Sequence, residues 1–334
     1  MIYLFVGDLH VKSDNRDDID LLLTELIKIL ADEQYDAVIL SGDVMHYHER
    51  LFTQPLNQAL HFIQTLATIT KVYVLVGNHD YINNSQFLTQ NHWMNVLKEW
   101  NNVVVVDTPI TVGMCMFVPY VPPGRFIEAM DTVNKRWNYL QVIFCHQEFR
   151  GCKMGAITSA DGDEWDDEFP LVVSGHIHDH QMVGQKIVYP GTPLQHAYGD
   201  STIRRLCVVN VGESEVKYRF LDLNVPRKHI LKCSIGNVSE VLSNTDRHDR
   251  IRLKLDATAE EFALFKKTAQ FKELSERGIR VQVSSSSSSS SSSSVSDEKS
   301  EVAHQPVHFL TVLGQLVSAD EPIVKQLFDE MITK

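Results

Sequence analysis

Short apolar runs that each stop at a potential metal ligand constrain this chain most. Ile2–Val6 leads to Asp8-Leu9-His10, Ala37–Leu40 to Gly42-Asp43-Val44-Met45-His46, and Val72–Val76 to Gly77-Asn78-His79-Asp80. Val142–Cys145 runs directly into His146, and Leu171–Val173 precedes Gly175-His176-Ile177-His178. Apolar runs this short, bounded by turn residues, read as buried strands. Helical spacing fills the intervals over about residues 17–30 and 55–69, the second pattern having proline in its first turn. The alternation predicts an α/β fold, and open α/β sheets carry their sites at the carboxyl ends of strands.

One Asp-x-His or Gly-Asp at a strand end is ordinary loop hydrogen bonding or a turn. Five such segments ending five strands, all without cysteine, point to a metal site. Alternation along an extended chain would send Asp8 with His10, and His176 with His178, to one side. Imidazole, carboxylate and amide donors suit Mn, Fe or Zn better than calcium. Two carboxylates, one amide and four histidines are too many for one ion and too few for three. Two divalent ions about 3.5–4 Å apart form a clamp suited to phosphate-ester hydrolysis. Set against Asp8 and Asp43, they leave a net positive site that attracts a phosphodiester.

Further strands are expected at 103–106, 114–118, 187–189, 206–211 and 216–221, so the later half looks like a second sheet packed on the first. Net charge is −12 over 334 residues, which disfavours nonspecific coating of nucleic acid. The balance is uneven, because residues 225–283 hold 12 Lys and Arg against 8 Asp and Glu. That segment reads as a small basic domain with strands at 229–233, 250–255 and 279–283 and one helix at about 258–269. The serine run that begins at Ser284 cannot bury enough apolar area to order itself, so 284–304 is expected to be a flexible linker. Residues 306–317 and 319–332 have helical spacing and predict a hairpin, within 305–334, that docks on a partner or on its own chain. The five cysteines are scattered and odd in number, and no apolar run approaches the roughly 18 residues of a membrane span. A reducing intracellular setting without membrane contact is expected, which is the host cytoplasm if the chain is viral.

The motifs Asp8-x-His10, Gly42-Asp43, Gly77-Asn78-His79-Asp80, His146 and Gly175-His176-x-His178 stand in the order of the calcineurin-like metallophosphoesterase superfamily, which residues 1–224 resemble. The resemblance implies two packed mixed β-sheets flanked by helices, with Asp8, His10, Asp43 and His178 on one ion. Asp43, Asn78, His146 and His176 would hold the other. It implies that His79 faces the substrate as proton donor or charge stabiliser, and that Asp80 orients His79.

Three details are similar to the SbcD-type repair nucleases and phage recombination endonuclease subunits: His46 three residues after Asp43, Cys145-His146-Gln147, and Tyr189-Pro190-Gly191-Thr192-Pro193 followed by Gly199-Asp200. That branch implies a DNA exonuclease and endonuclease in break processing or recombination. His46 would be a second substrate-positioning histidine, and the two ions most often Mn, with Fe, Zn or Co as substitutes. It further implies homodimers, a small α+β capping domain at 225–283 that contacts DNA, and an SMC-like ATPase bound through 305–334. A phosphoesterase for a small phosphodiester, nucleotide or phosphoprotein would share every ligand, and a scaffold with a degenerate metal site is a third reading. His48 reads as an exposed loop residue, His180 and His196 are assigned no role, and the acidic stretch 161–168 reads as a solvated loop away from the substrate.

Overall fold

The structure, a computed structural model, describes residues 1–284. In chain order the strands are β1 (Ile2–Val6), β2 (Ala37–Leu40), β3 (Lys71–Leu75), β4 (Val103–Val106), β5 (Ile110–Val112), β6 (Cys115–Val118), β7 (Val142–His146), β8 (Lys153–Met154), β9 (Ile157–Thr158), β10 (Leu171–Gly175), β11 (Gln181–Val183), β12 (Ile187–Tyr189), β13 (Arg205–Val211), β14 (Val216–Asp222), β15 (Lys228–Ser234), β16 (Arg250–Asp256) and β17 (Arg280–Ser284). The helices are α1 (Arg16–Asp32), α2 (Thr53–Ile69), α3 (Phe126–Asp131), α4 (Val238–Ser243), α5 (Ala259–Phe265) and α6 (Ala269–Glu276).

Two six-stranded mixed sheets, ordered β14-β13-β1-β2-β3-β4 and β11-β12-β10-β7-β6-β5, face each other. Tyr3, Phe5, Ile39, Tyr73 and Leu75 from the first meet Phe117, Val142, Phe144 and Val173 from the second in one apolar layer. Strands buried on both faces need continuous apolar runs, which is why β1, β2, β7 and β10 read as such. The outer face of the first sheet takes α1 and α2, whose buried stripes include Leu22, Leu26, Phe62 and Leu66. Pro55 is tolerated because it is the third residue of α2, where its missing N–H would have no intrahelical acceptor. The outer face of the second sheet is covered by α3 and the aromatic cluster of Trp137, Phe149 and Trp165.

The expectation that the later half forms the second sheet needs correction at β13 and β14. β13 pairs antiparallel with β1, Phe5 opposite Cys207, and so returns to the first sheet. The acidic stretch is also more than a solvated loop: Asp163 is buried and accepts from the Phe126 amide and Gln147 Nε2. Burial is the main reason its carboxyl is raised above the ordinary range.

Residues 228–284 form a parallel sheet ordered β15-β16-β17 with its own apolar cluster of Ile251, Leu253, Leu255, Phe265 and Leu274. Residues 1–284 belong to one compact unit that includes this sheet. The expected single helix is two, because the Thr268 side chain accepts from the Phe271 amide and starts α6. Ser284 ends β17 and so is not linker; the rest of the expected linker and the hairpin expected over 305–334 lie outside the described residues. Among the described residues no helix is long and apolar enough to cross a membrane.

Candidate metal centre

Parallel pairing brings the motif ends level. Val6 stands opposite Leu40, Leu40 opposite Val74, and on the other sheet His146 opposite Gly175. The loops after β1, β2, β3, β7 and β10 therefore meet at one end of the sandwich. The ligand pairs do not lie on extended backbone, as alternation predicted. His10, Asp43 and His176 have φ of 45°, 46° and 77°, a left-handed conformation that side chains other than glycine rarely adopt and that clusters at functional sites. The glycines of the motifs make room for this. A Cβ on Gly77 would collide with the Asp43 carboxylate, and one on Gly175 would stand 2.5 Å from Asp8 Oδ1.

Asp8, His10 and His178 offer ligand atoms within 4.8 Å of one another, as do Asp43, His146 and His176, and as do His10, Asp43 and His79. His10 Nε2 and His178 Nε2 face each other at 3.1 Å. Asn78 Oδ1 lies 3.0 Å from His146 Nε2 and 2.9 Å from His176 Nδ1. Asp43 joins the two halves. Its Oδ1 is 3.4 Å from His146 Nε2 and accepts the His79 amide at 2.8 Å, while its Oδ2 is 3.5 Å from His10 Nε2. Lone pairs converging from a carboxylate, an amide and imidazoles are a donor set that fits divalent cations. His176 and His178 enter different groups, as the resemblance implies, and both line one cavity.

Electrostatics agree with that fit at His10 and Asp43 and oppose it at His146 near neutrality. Burial outweighs Asp43 and holds the His10 imidazole well below its ordinary range, so its lone pair is available. Burial alone would raise Asp43, yet His146, His10 and His79 hold it well below the carboxylate range. Burial also opposes protonation of His146, but Asp43 and Asp8 prevail and raise it to about 9. An ion arriving at His146 must therefore displace a proton. Apparent affinity should rise about tenfold per pH unit from neutrality and level off near pH 9. Calorimetry in buffers of different ionisation enthalpy checks this; absence of proton release at about pH 7.5 would contradict it.

Hydrogen bonds hold the ligands. Ser41 Oγ donates to Asp8 Oδ1 at 2.6 Å, the His176 amide donates to Asp8 Oδ2 at 2.9 Å, and the Ser41 carbonyl lies 2.9 Å from His146 Nδ1. Glu148 Oε2 is 3.9 Å from His176 Nε2, and its contact with His176 lowers the Glu148 carboxyl. At that distance the contact is one of charge, not a hydrogen bond. Glu148 carries no motif signal beyond following His146 closely. Gln147, read as a mark of the nuclease branch, is buried and ties Val121 to Asp163.

The expected role of Asp80 is corrected here. Its carboxylate accepts from the amides of Val44, Met45 and Gly77 and from Trp93 Nε1, not from His79. Burial and then the Asp43 charge push its carboxyl up to about 7, against several of those bonds. The His79 ring is held instead by the His46 carbonyl, 2.7 Å from Nδ1. The His46 ring lies against His10, with Nδ1 to Nδ1 at 3.4 Å. His48 is not a bystander, because its ring stacks on His79 with centres 4.5 Å apart at 16°. His196 packs on both His10 and His178, whereas His180 packs on Phe220.

A cavity of about 340 Å³ opens over this layer, lined by Asp43, Asn78, His79, His176 and His178 and rimmed by Lys153–Gly155 and Gly199–Asp200.

Residues 1–180 match the family model of calcineurin-like phosphoesterases. A relative in Invertebrate iridescent virus 3 named "Putative phosphoesterase 078R" is 47% identical over 83% of this chain and 82% of its own length. Another in Invertebrate iridescent virus 6, "Putative phosphoesterase 244L", is 41% identical over 79% of this chain and 96% of its own. A solved structure titled as a novel archaeal phosphodiesterase covers 67% of this chain and 100% of its own at 14% identity and a TM-score of 0.35. With its family motifs converging on one metal-compatible centre, this chain belongs to the calcineurin-like phosphoesterase family.

Proposed function

We propose that this phosphoesterase is a DNA nuclease that cleaves phosphodiester bonds in end processing or recombination. The ligands would divide as Asp8, His10, Asp43 and His178 around one ion and Asp43, Asn78, His146 and His176 around the other, with Mn the leading candidate and Fe, Zn or Co able to substitute. Bound ions of this kind neutralise charge on the phosphoryl group and generate the nucleophile for in-line displacement. The chain's own residues do the rest. Asp43 presents one oxygen to each half of the centre. His79, with Nδ1–H held by the His46 carbonyl, would give the leaving oxygen a proton from Nε2 as the imidazolium, ending neutral with its Nδ1 proton retained.

The observation that carries the choice of substrate is the open face of the three-stranded sheet. Its buried face is apolar, while the alternate positions Lys228, Lys232, Arg250, Arg252, Lys254 and Arg280 share the other face in register. Arg250 pairs with Asp18, whereas Lys232, Lys254 and Arg280 pair with no carboxylate among the described residues. This face borders the cleft: Arg252 lies over the Tyr198 ring at 4.0 Å, and Lys228 Nζ donates to the His196 carbonyl at 3.2 Å. A row of cations beside a phosphodiesterase centre suits a polyanion and has no use for a small ester.

The test is degradation of end-labelled duplex and single-stranded DNA with Mn, Mg or EDTA, beside a bis-phosphate ester. The expected result is Mn-dependent cleavage, with Lys232→Ala/Lys254→Ala lowering the salt slope of DNA binding by about 2 and sparing ester hydrolysis. Ester hydrolysis with DNA left intact, even with a candidate ATPase added, would move the protein to small phosphodiesters. The SMC-like ATPase is assigned to residues 305–334, whose removal should abolish its capture and spare ester hydrolysis. Association as a homodimer completes the proposal and is read by sedimentation.

A further inference from the structure

Resting on the two-ion reading, we propose that His196 is a further nitrogen ligand of the ion assigned to Asp8, His10, Asp43 and His178. His196 belongs to none of the motifs that mark the centre, and it comes from the loop between β12 and β13. Its ring centre stands 4.7 Å from that of His10 and 5.0 Å from that of His178, at interplanar angles of 82° and 63°. His10 and His178 are themselves 5.0 Å apart at 69°. The three rings therefore occupy the corners of a nearly equilateral triangle. Imidazoles bound to one ion through bonds of about 2.1 Å, at angles between square and tetrahedral, hold their ring centres roughly 5 Å apart. The spacing is compatible with a three-imidazole site, as is that of His79, whose ring centre stands 4.9 Å from His10, so it is the ring nitrogens that single out His196.

The second observation is independent of spacing. Both ring nitrogens of His196 are buried and have no hydrogen-bond partner. Buried side-chain polar atoms nearly always have one, and an orphaned pair calls for an occupant. A residue needed only to pack against His10 and His178 would serve as well without nitrogens. The loop is also anchored as a ligand loop should be: the His196 amide donates to Asp200 Oδ2 at 2.8 Å, and its carbonyl accepts from Lys228. His196 is not among the ligand atoms that already lie within 4.8 Å of one another. Coordination therefore requires the His196 ring to move from the position described.

The test is metal titration of the metal-free full-length protein, wild type against His196→Phe and His196→Asp. Phenylalanine keeps the ring contact and removes the nitrogens; aspartate restores a donor. Wild type should take up two ions per chain. His196→Phe should bind one of them at least about tenfold more weakly and the other unchanged, with the visible bands of bound Co²⁺ altered for the weakened site. His196→Asp should recover part of that affinity. If His196→Phe binds both ions within about twofold of wild type, the ring only packs and the inference is wrong. If His196→Phe does not fold, full wild-type affinity and an unchanged Co²⁺ spectrum in His196→Asp would overturn it. Fewer than two ions in the wild type would instead overturn the two-ion reading itself.

Discussion

Replacing His79 with alanine is expected to leave ion binding intact and to slow phosphodiester hydrolysis by about 10²–10⁴-fold. The imidazole lines the cavity, and the His46 carbonyl at 2.7 Å fixes Nδ1 as the N–H donor, which leaves Nε2 for the substrate. Its backbone amide donates to Asp43, and alanine retains that amide. The loss should therefore fall on kcat with ion affinity held, as read by parallel turnover and calorimetric titrations. Wild-type turnover in the variant would remove His79 from the reaction, and loss of an ion would make it a ligand, as its grouping with His10 and Asp43 also allows. His48, stacked on the same ring, should give a smaller loss that an aromatic replacement restores.

A second large effect is expected at Arg204, whose guanidinium is buried beneath the ligand loops. Nη1 donates to the Thr192 carbonyl at 3.1 Å and also reaches the carbonyls of His178 and Leu194, while Nη2 donates to the Ser201 carbonyl. Burial lowers its basicity, and Asp200 and Asp179 oppose that. Arg204→Met would leave four carbonyls without their charged donor, a destabilisation on the order of 3–5 kcal/mol. At about 1.4 °C per kcal/mol for 334 residues, Tm should fall by roughly 4–7 °C. Because the same guanidinium joins the loop of His178 to that of His196, ion affinity should fall as well. A thermal scan indistinguishable from wild type would show that water replaces the guanidinium without penalty.

The motifs were legible because strands ending in Asp, Asn and His are a pattern that few other constraints produce. The same lines of sequence misassigned Asp80 and passed over His48, His196, Glu148 and Arg204. Each of the four makes a contact with another loop: His196 reaches His10 across 186 positions, and Arg204 closes loops from both sides of β12. Asp80 was misread because neighbours in sequence were taken to be neighbours in space. In the short turn after Gly77 its carboxylate points to backbone amides, and the His79 ring points to the next loop.

Local pattern alone determined the α/β alternation, the ends of the central strands and the identity of the converging donors, because burial on both faces demands apolar runs and ion binding demands particular side chains. Tertiary structure decided which sheet β13 and β14 join, which oxygen of Asp43 faces which half of the centre, and which extra imidazoles surround it. Those depend on pairing between distant strands and on left-handed backbone at His10, Asp43 and His176, and neither leaves a period in the sequence.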